Sequence, residues 1–400
     1  MAKRFSVADW QKIEKLLDEK PLKYGMPEGG REESVVLSSF NIRKLSKSKN
    51  RERELDFMSR FCARCDLIAI QEIQDSLDGL IFLQDRVNER VSSEGEFGLV
   101  VSDITGEVPG KKGMAERLAF LYRRRRVRRT ELASDITIDR KGVLDNFEAN
   151  EEAFRTAWRE FDEKMKKFEA GERASKPKLV LPSFLTFTRS PHVAAFENPG
   201  KQAADPIAFL AVNAHLLFGK PRERAAEFRA LVRWLAMRLQ DEKRMAAPNF
   251  ILLGDLNLDL DNPEADGAAI DTFIRGMNKE AFNSNTMHRI YFPFIDKHPK
   301  HGLLRSNARL NQTYDQIAFF AGAKEKALPN HEGAVHIAEH PDKFDYGVFN
   351  FAELFANATT GKSFSQLKKN KAAFKAFAKN FEHSVSDHMP IWVRVRRPGF

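Results

Sequence analysis

Apolar runs of strand length recur along this chain, and they constrain its fold more than any other feature. Several of them, such as 207–212 and 250–253, are apolar without alternation, as expected for strands buried on both faces. Amphipathic helical patterns lie between the runs, the clearest at 222–239. Other runs are "SVVLSSFNI", "DLIAIQE", "FGLVVSDI", "ERLAFLYRR", "KLVLPSFLTFTR", "HVAAFE", "YDQIAFFA" and "IWVRVRR". We therefore expect an α/β protein with buried strands.

Polar side chains stand at the ends of these runs. A carboxylate, carboxamide or imidazole beside a hydrophobic run is costly to bury unless it is paired or binds a ligand. One such case is uninformative, but repeated cases at strand ends, where sheets present active sites, predict a functional site. The residues concerned are Asn41, Glu72, Asn213, His215, Asp255, Asn257, Asp315, Asp387 and His388.

These residue types suit the hydrolysis of a phosphodiester. The reaction needs a divalent cation, and Mg²⁺ prefers oxygen ligands such as Glu72 and Asp387. It also needs a base to activate water and an acid to protonate the leaving oxygen, roles that suit two histidines oriented by carboxylates. Neutral donors such as Asn41 and Asn257 would hold the phosphate without adding negative charge.

The fragments "NI", "QEI", "NAHL", "GDLN", "YDQI" and "SDHMP", in this order, resemble the endonuclease/exonuclease/phosphatase superfamily. The match runs from Asn41 to His388, and "AERLAFLYRR" and "FTRSPHVAAF" are similar to segments of the DNase I-like branch. The resemblance implies a four-layer α/β sandwich, in which two mixed β-sheets pack face to face with helices outside. It implies Mg²⁺ as the cofactor, with Mn²⁺ or Ca²⁺ as substitutes.

The resemblance also implies residue roles at the metal and at the phosphate. Glu72 and Asp387 would bind the metal ion, with Asn41 beside them. Asp255 and Asn257 would position the attacking water and the phosphate. The number of metal ions stays open.

The same resemblance makes the two histidines the general acid and the general base. His215 would be oriented by Glu116, and His388 by Asp315. Which histidine is the acid and which the base stays open. The predicted substrate contacts are Arg189 and Asn213.

The chain divides into a short extension and one large domain. Residues 1–33 are predicted to form an amphipathic helix and a linker, and residues 34–400 the catalytic domain. Helical insertions are predicted near 145–175 and 341–382, from phenylalanines at helical spacing. These helices either pack on the main body or contact a partner or substrate.

The formal net charge of +9 favours a polyanionic partner. We therefore expect a nuclease acting on DNA or RNA, with a phosphatase or sphingomyelinase-like lipid phosphodiesterase of the same superfamily as the alternative. A catalytically silent nucleic-acid-binding protein is a third reading. The run "YRRRRVRRT" is either a phosphate-binding surface or a solvated turn.

Cysteine content and the first residues bear on the compartment. The only cysteines, Cys62 and Cys65, exclude a disulfide framework and a four-cysteine zinc site. The first residues lack the apolar core of a signal peptide, and no later run approaches a membrane span. We expect a cytoplasmic protein without stable membrane insertion, and protein partners cannot be named from the sequence.

Overall fold

The structure is a computed structural model, and part of the chain is described. The described residues are 5–46, 51–74, 76–91, 95–106, 115–138, 140–201, 204–219, 221–258, 263–282, 289–298, 300–322, 328 and 345–400. Residues 1–4 of the predicted extension and 341–344 of the second predicted insertion lie outside the described residues.

The described strands form two six-stranded sheets. The strands are β1 (Ser34–Leu45), β2 (Leu67–Ile73), β3 (Phe97–Val101), β4 (Arg117–Arg123), β5 (Arg128–Asp135), β6 (His192–Asn198), β7 (Ile207–His215), β8 (Phe250–Asp255), β9 (Ile290–Tyr291), β10 (Asp315–Phe320), β11 (Asp345–Val348) and β12 (Ile391–Arg396). The first sheet has the order β11-β12-β1-β2-β4-β3, and the second β5-β6-β7-β8-β10-β9. Both are mixed, because β1–β2 and β7–β8 pair in parallel and the other neighbours are antiparallel.

Helices cover the outer faces of the sheets. They are α1 (Val7–Glu19), α2 (Glu52–Cys62), α3 (Asp78–Arg90), α4 (Arg140–Ala149), α5 (Glu151–Glu169), α6 (Pro221–Arg238), α7 (Pro263–Phe282), α8 (Phe351–Thr360), α9 (Phe364–Lys368) and α10 (Lys371–Ser384), with 3₁₀ turns at Leu22–Tyr24 and Leu239–Arg244.

The alternation of side chains along β7 separates two hydrophobic clusters. Phe209 and Ala211 belong to the cluster between the sheets, whereas Leu210 and Val212 join the cluster beneath α6 and α7. Both faces of the strand are buried, which explains its continuous apolar sequence. Two mixed sheets packed face to face, with helices around them, confirm the predicted α/β sandwich.

The strand directions bring the predicted site residues to one end of the sandwich. The parallel pairs β1–β2 and β7–β8 end there, whereas their antiparallel neighbours β4, β6, β10 and β12 begin there. The carboxyl ends of the first group and the amino ends of the second therefore share one edge of each sheet.

One expected strand is absent, and the position of the arginine run, which the sequence left open, is defined. Residues 178–189 were expected to form a strand, but they form none. Pro182 interrupts the run and lacks a backbone N–H for a ladder, and Val180 and Leu181 are exposed. The arginine run after β4 lies at the end opposite the predicted site, since Arg123 and Arg126 approach Asp66 at the start of β2.

The first predicted helical insertion corresponds to α4–α5. The second contains α8–α10, but its residues Asp345–Val348 form strand β11, which pairs with β12 in the first sheet, so that part was wrongly predicted to be helical. The N-terminal helix α1 packs on the main body, where Trp10 is buried against Phe57 and Phe355. No helix among the described residues is both long enough and apolar enough to cross a lipid bilayer.

Candidate active site

Two buried histidines at the site end of the sandwich each contact a carboxylate. His215, the last residue of β7, has Nδ1 2.5 Å from Oε1 of Glu116, which directly precedes β4. His388, in the loop before β12, has Nδ1 2.9 Å from Oδ2 of Asp315, the first residue of β10. A carboxylate at Nδ1 orients the ring and fixes Nε2 as the atom that faces the site.

Asp255 lies between the two imidazoles. Its Oδ2 is 3.5 Å from Nε2 of His215 and 3.5 Å from Nε2 of His388. Its Oδ1 accepts a hydrogen bond from the backbone N–H of Asn257 at 3.0 Å, which holds the carboxylate in place. One carboxylate thus faces the reactive nitrogen atoms of both histidines.

Burial and charge set the protonation of this cluster. Burial lowers the pKa of His215 and His388, but the carboxylates of Glu116 and Asp315 outweigh it, so both pKa values are raised, that of His388 strongly. Burial raises the pKa of Asp255, but the two adjacent imidazoles bring it below its usual value. The carboxylates therefore shift both imidazoles towards the protonated form, and the imidazoles shift Asp255 towards the ionised form.

A group of oxygen atoms lies beside the histidines. Asn41 Nδ2 donates to Glu72 Oε1 at 3.3 Å and to Asp255 Oδ2 at 3.0 Å, which joins the two sheets. Oδ1 of Asn41 and Oδ1 of Asp387 are buried and have no hydrogen-bond partner among the described residues. Unpaired buried oxygens of this kind are costly, and a hard cation would satisfy them. The donor set of Asn41, Glu72 and Asp387 therefore fits a divalent metal ion.

A second set of side chains is also close enough to share an ion. Asp255, Asp315 and His388 each offer one ligand atom, and these atoms lie within 4.8 Å of one another. In this set the hydrogen bond between His388 Nδ1 and Asp315 Oδ2 already uses one possible ligand atom of each residue.

Two site residues adopt backbone conformations that are unusual for non-glycine residues. Glu72 has φ +62° and Asn257 has φ +49°, both in the left-handed region. Gly254 shows a close approach instead, because a Cβ atom there would lie 1.9 Å from the carbonyl oxygen of Ala214. Strained positions of this kind persist where the surrounding structure holds a functional side chain in place.

The two residues predicted to contact substrate, Arg189 and Asn213, are buried and bond to other groups of the protein. Arg189 is buried, with Nε 3.2 Å from Glu116 Oε2, so it positions the carboxylate that orients His215. Asn213 is fully buried, donates to the carbonyls of Ile70 and Ala119, and accepts from Gln71 at 2.7 Å. Its carboxamide is used within the protein, and this geometry favours a role in joining the sheets over a substrate contact.

Sequence reasoning missed residues that hold the Asp387 loop. Ser386 Oγ donates to the carbonyl of Asn41 at 3.1 Å and accepts from the backbone N–H of His388 at 3.3 Å. Arg51 donates to the carbonyls of Arg43 and Val385. The serine in "SVSDHMP" is a local hydrogen-bonding residue that the sequence shows, whereas the contact of Arg51 with Val385 joins residues 334 positions apart and has no local signal.

An aromatic residue at the site was also missed. Phe218, three residues after His215, is 64% exposed, and its ring lies 6.4 Å from that of Tyr314. Tyr314 in turn lies 5.9 Å from the His388 ring. The loop after β7 thus presents an exposed aromatic ring near the histidines.

The chain resembles known deoxyribonucleases over a limited segment. It is 31% identical over 98 residues to deoxyribonuclease-1-like 1 of Sus scrofa, a segment that covers 24% of this chain and 30% of the relative. It is 31% identical over 96 residues to deoxyribonuclease gamma of Rattus norvegicus, again 24% of this chain and 30% of the relative. The chain therefore spans about a third of each relative, and no protein-family model matches it. These matches confirm the resemblance to DNase I-like proteins of the endonuclease/exonuclease/phosphatase superfamily.

Solved structures of that superfamily resemble the whole fold more loosely. An endonuclease/exonuclease/phosphatase family protein of Bacteroides thetaiotaomicron has a TM-score of 0.44 and 13% identity, covering 92% of this chain and 96% of its own. D. rerio TDP2 complexed with a single-strand DNA product has a TM-score of 0.42 and 13% identity, and the match covers 91% of this chain and 99% of the TDP2 chain. The human Nocturnin catalytic domain has a TM-score of 0.43 and 10% identity, covering 91% and 94%. Scores at this level carry no information on substrate.

Proposed function

We propose that this protein is a metal-dependent phosphodiester hydrolase and that its substrate is a nucleic acid. The observation that supports this most is the buried cluster in which Asp255 faces Nε2 of two histidines, each paired with its own carboxylate. Two imidazoles on either side of one carboxylate can hold one proton for the leaving oxygen and accept another from water.

The neighbouring oxygen atoms would hold the metal ion. Asn41, Glu72 and Asp387 would bind Mg²⁺, which would neutralise charge on the phosphate and its leaving oxygen. Asp255 would orient the attacking water, while Asn41 fixes this carboxylate across the two sheets. His215 and His388 would hold or move protons at Nε2, and Asn257 keeps Asp255 oriented through its backbone N–H.

The preference for a nucleic acid rests on charge and on the relatives. The net charge of +9 favours a polyanion. The relatives that match a quarter of the chain are deoxyribonucleases by name. A nuclease is therefore favoured over a phosphatase or a lipid phosphodiesterase.

Supercoiled plasmid, single-stranded DNA and a structured RNA, each incubated with Mg²⁺ or with a chelator, test this function. We expect metal-dependent cleavage that falls at least about 100-fold in His388→Ala, the scale of one general acid or base. His383→Ala is the matched control, because this exposed histidine lies in α10, only five residues before His388. Circular dichroism would show that both variants fold.

Small esters separate the alternatives. Hydrolysis of bis(p-nitrophenyl) phosphate without cleavage of any polymer would select a lipid or small-molecule phosphodiesterase. Hydrolysis of p-nitrophenyl phosphate alone would select a phosphatase. Equal loss in His388→Ala and His383→Ala, or full activity in chelator, would contradict the mechanism.

A further inference from the structure

The exposed face of α10 carries a row of lysines. Lys371, Lys375 and Lys379 recur every fourth residue, so they lie on one side of the helix with ~6 Å between neighbours along its axis. All three are exposed, and none of them forms an ion pair with another described residue. We call Lys371, Lys375 and Lys379 the lysine row.

The opposite face of α10 anchors the row to the body of the protein. Phe377 and Phe381 are buried in the main hydrophobic core, and Phe374 packs against it. Lys368 on α9 is held differently, since its Nζ donates to the carbonyl of Leu310 and lies over the Phe374 ring. The lysine row is therefore fixed in position, while its charges remain in solvent.

The row lies on the helix that leads into a loop of the candidate active site. Helix α10 ends at Ser384, and Asp387 and His388 follow within four residues. Between residues 362 and 384 the sequence has one acidic residue, Glu382, and Arg309 pairs with it at 2.6 Å. The segment that leads into the site loop is therefore strongly basic.

The other arginine- and lysine-rich candidates do not share this placement. The arginine run after β4 lies at the opposite end, where Arg123 and Arg126 pair with Asp66. The long helix α5 mixes both signs, with Lys164 paired to Glu160 at 2.8 Å. The lysine row combines exposure, charge without a described ion-pair partner, and a position on the helix that leads into the site loop.

We propose that the lysine row binds the phosphate backbone of a single nucleic-acid strand and leads that strand into the active site. The row spans ~12 Å, a length over which one strand carries about three or four phosphates. This inference rests on the proposed nuclease function and adds a binding surface to it. A membrane surface fits less well, because no large apolar side chain of α9 or α10 is exposed beside the lysines.

The test compares two triple variants with equal loss of charge. One replaces Lys371, Lys375 and Lys379 by Gln, and the other replaces Lys164, Lys166 and Lys167 of α5 by Gln. Binding of a fluorescent single-stranded DNA oligomer is measured by anisotropy in chelator at several salt concentrations. We expect the lysine-row variant to bind at least about tenfold more weakly at low salt. Its slope of log binding constant against log salt concentration should be smaller in magnitude by about 2. The α5 variant should bind like the wild type.

A charge-retaining variant and a small-substrate assay test whether the lysine charges act through binding alone. A Lys→Arg triple variant of the row keeps the charges and should keep the affinity. The Gln variant of the row should hydrolyse bis(p-nitrophenyl) phosphate at the wild-type rate, because the row does not touch the reacting atoms. An unchanged salt slope, equal loss in the α5 variant, or loss of binding to phosphatidylserine vesicles with oligomer binding retained would overturn the inference.

The two proposals fail in different ways. If the wild type hydrolyses no phosphodiester at all, the nuclease function fails, whatever the lysines bind. If the wild type cleaves DNA or RNA but the Gln variant of the row binds and cleaves the oligomer equally well, only the lysine row fails.

Discussion

Buried histidines in this molecule differ in pKa because their immediate neighbours differ. His215 and His388 contact carboxylates, which raise the pKa of each ring. His298 instead accepts hydrogen bonds at Nδ1 from the backbone N–H groups of Lys300 and His301, at 3.1 and 3.2 Å. Its ring also packs on the rings of His301 and Tyr346. These neighbours require a neutral ring.

His298 therefore makes the stability of the protein depend on pH. Burial, and then the charges of His301 and Lys300, lower its pKa to about 4 from the usual 6.5. The unfolded chain binds this proton first, so stability is present above about pH 6.5 and is lost as the pH falls towards 4. Allowing for solvent screening, we expect a loss of roughly 1–2 kcal/mol from this group.

Urea unfolding of the wild type and of His298→Asn between pH 7 and pH 4 measures this effect. An asparagine can accept the same backbone hydrogen bonds and does not titrate. The unfolding free energy of the wild type should fall relative to that of His298→Asn as the pH falls. His383→Asn, an exposed replacement, serves as the control, and parallel pH profiles for all three proteins would contradict the assignment.

At the scale of single elements, the buried strands were the most predictable parts. Strands such as β7 and β8 are apolar on both faces, so their sequences stand out without alternation. Strands β5 and β9 could not be predicted from hydrophobic pattern, because β5 is largely exposed and β9 has only two residues. The apolar run at 178–189 was wrongly predicted to be a strand, because its hydrophobicity was weighed without the interruption by Pro182, which has no backbone N–H for a strand ladder.

Helix α1, in the predicted N-terminal extension, packs against the large body. The Trp10 ring lies 5.6 Å from that of Phe57 on α2 and 5.3 Å from that of Phe355 on α8. Ser6 and Asp9 form a capping box that fixes the start of the helix. Packing, which no linear pattern reveals, therefore decides how an N-terminal segment is attached.

Trp10→Ala should destabilise the protein by about 3–5 kcal/mol, because it leaves a cavity among aromatic rings. Thermal or urea unfolding would measure this loss. Val7→Ala, in the same helix at a position 76% exposed, should change stability little and is the matched control. Equal, small effects of the two substitutions would mean that α1 contributes nothing to the stability of the main body.

At the scale of the whole molecule, the candidate site is assembled from both sheets. Asn41 on β1 reaches Asp255 on β8, and His388 next to β12 reaches Asp315 on β10. The residue types and their strand-end positions were predictable from sequence, since each is a local feature. Supporting contacts such as those of Arg51 were not, because they depend on how distant segments pack.

The link between Asn213 and Gln71 holds the two sheets together near the site. The Asn213 side chain on β7 spans to the carbonyls of Ile70 and Ala119 in the other sheet and also accepts from Gln71. Asn213→Ala leaves buried groups without partners, so we expect a loss of at least about 2 kcal/mol in unfolding free energy.

Activity measurements separate this role from a substrate contact. A sheet-joining Asn213 predicts that Asn213→Ala lowers stability and shares a coupling energy with Gln71→Ala in a double-mutant cycle. A substrate-binding Asn213 predicts a raised KM at unchanged stability and no coupling with Gln71. Because His215 lies two residues further along β7, the sheet-joining role also predicts that kcat falls with KM nearly constant, since a displaced imidazole affects proton transfer more than binding.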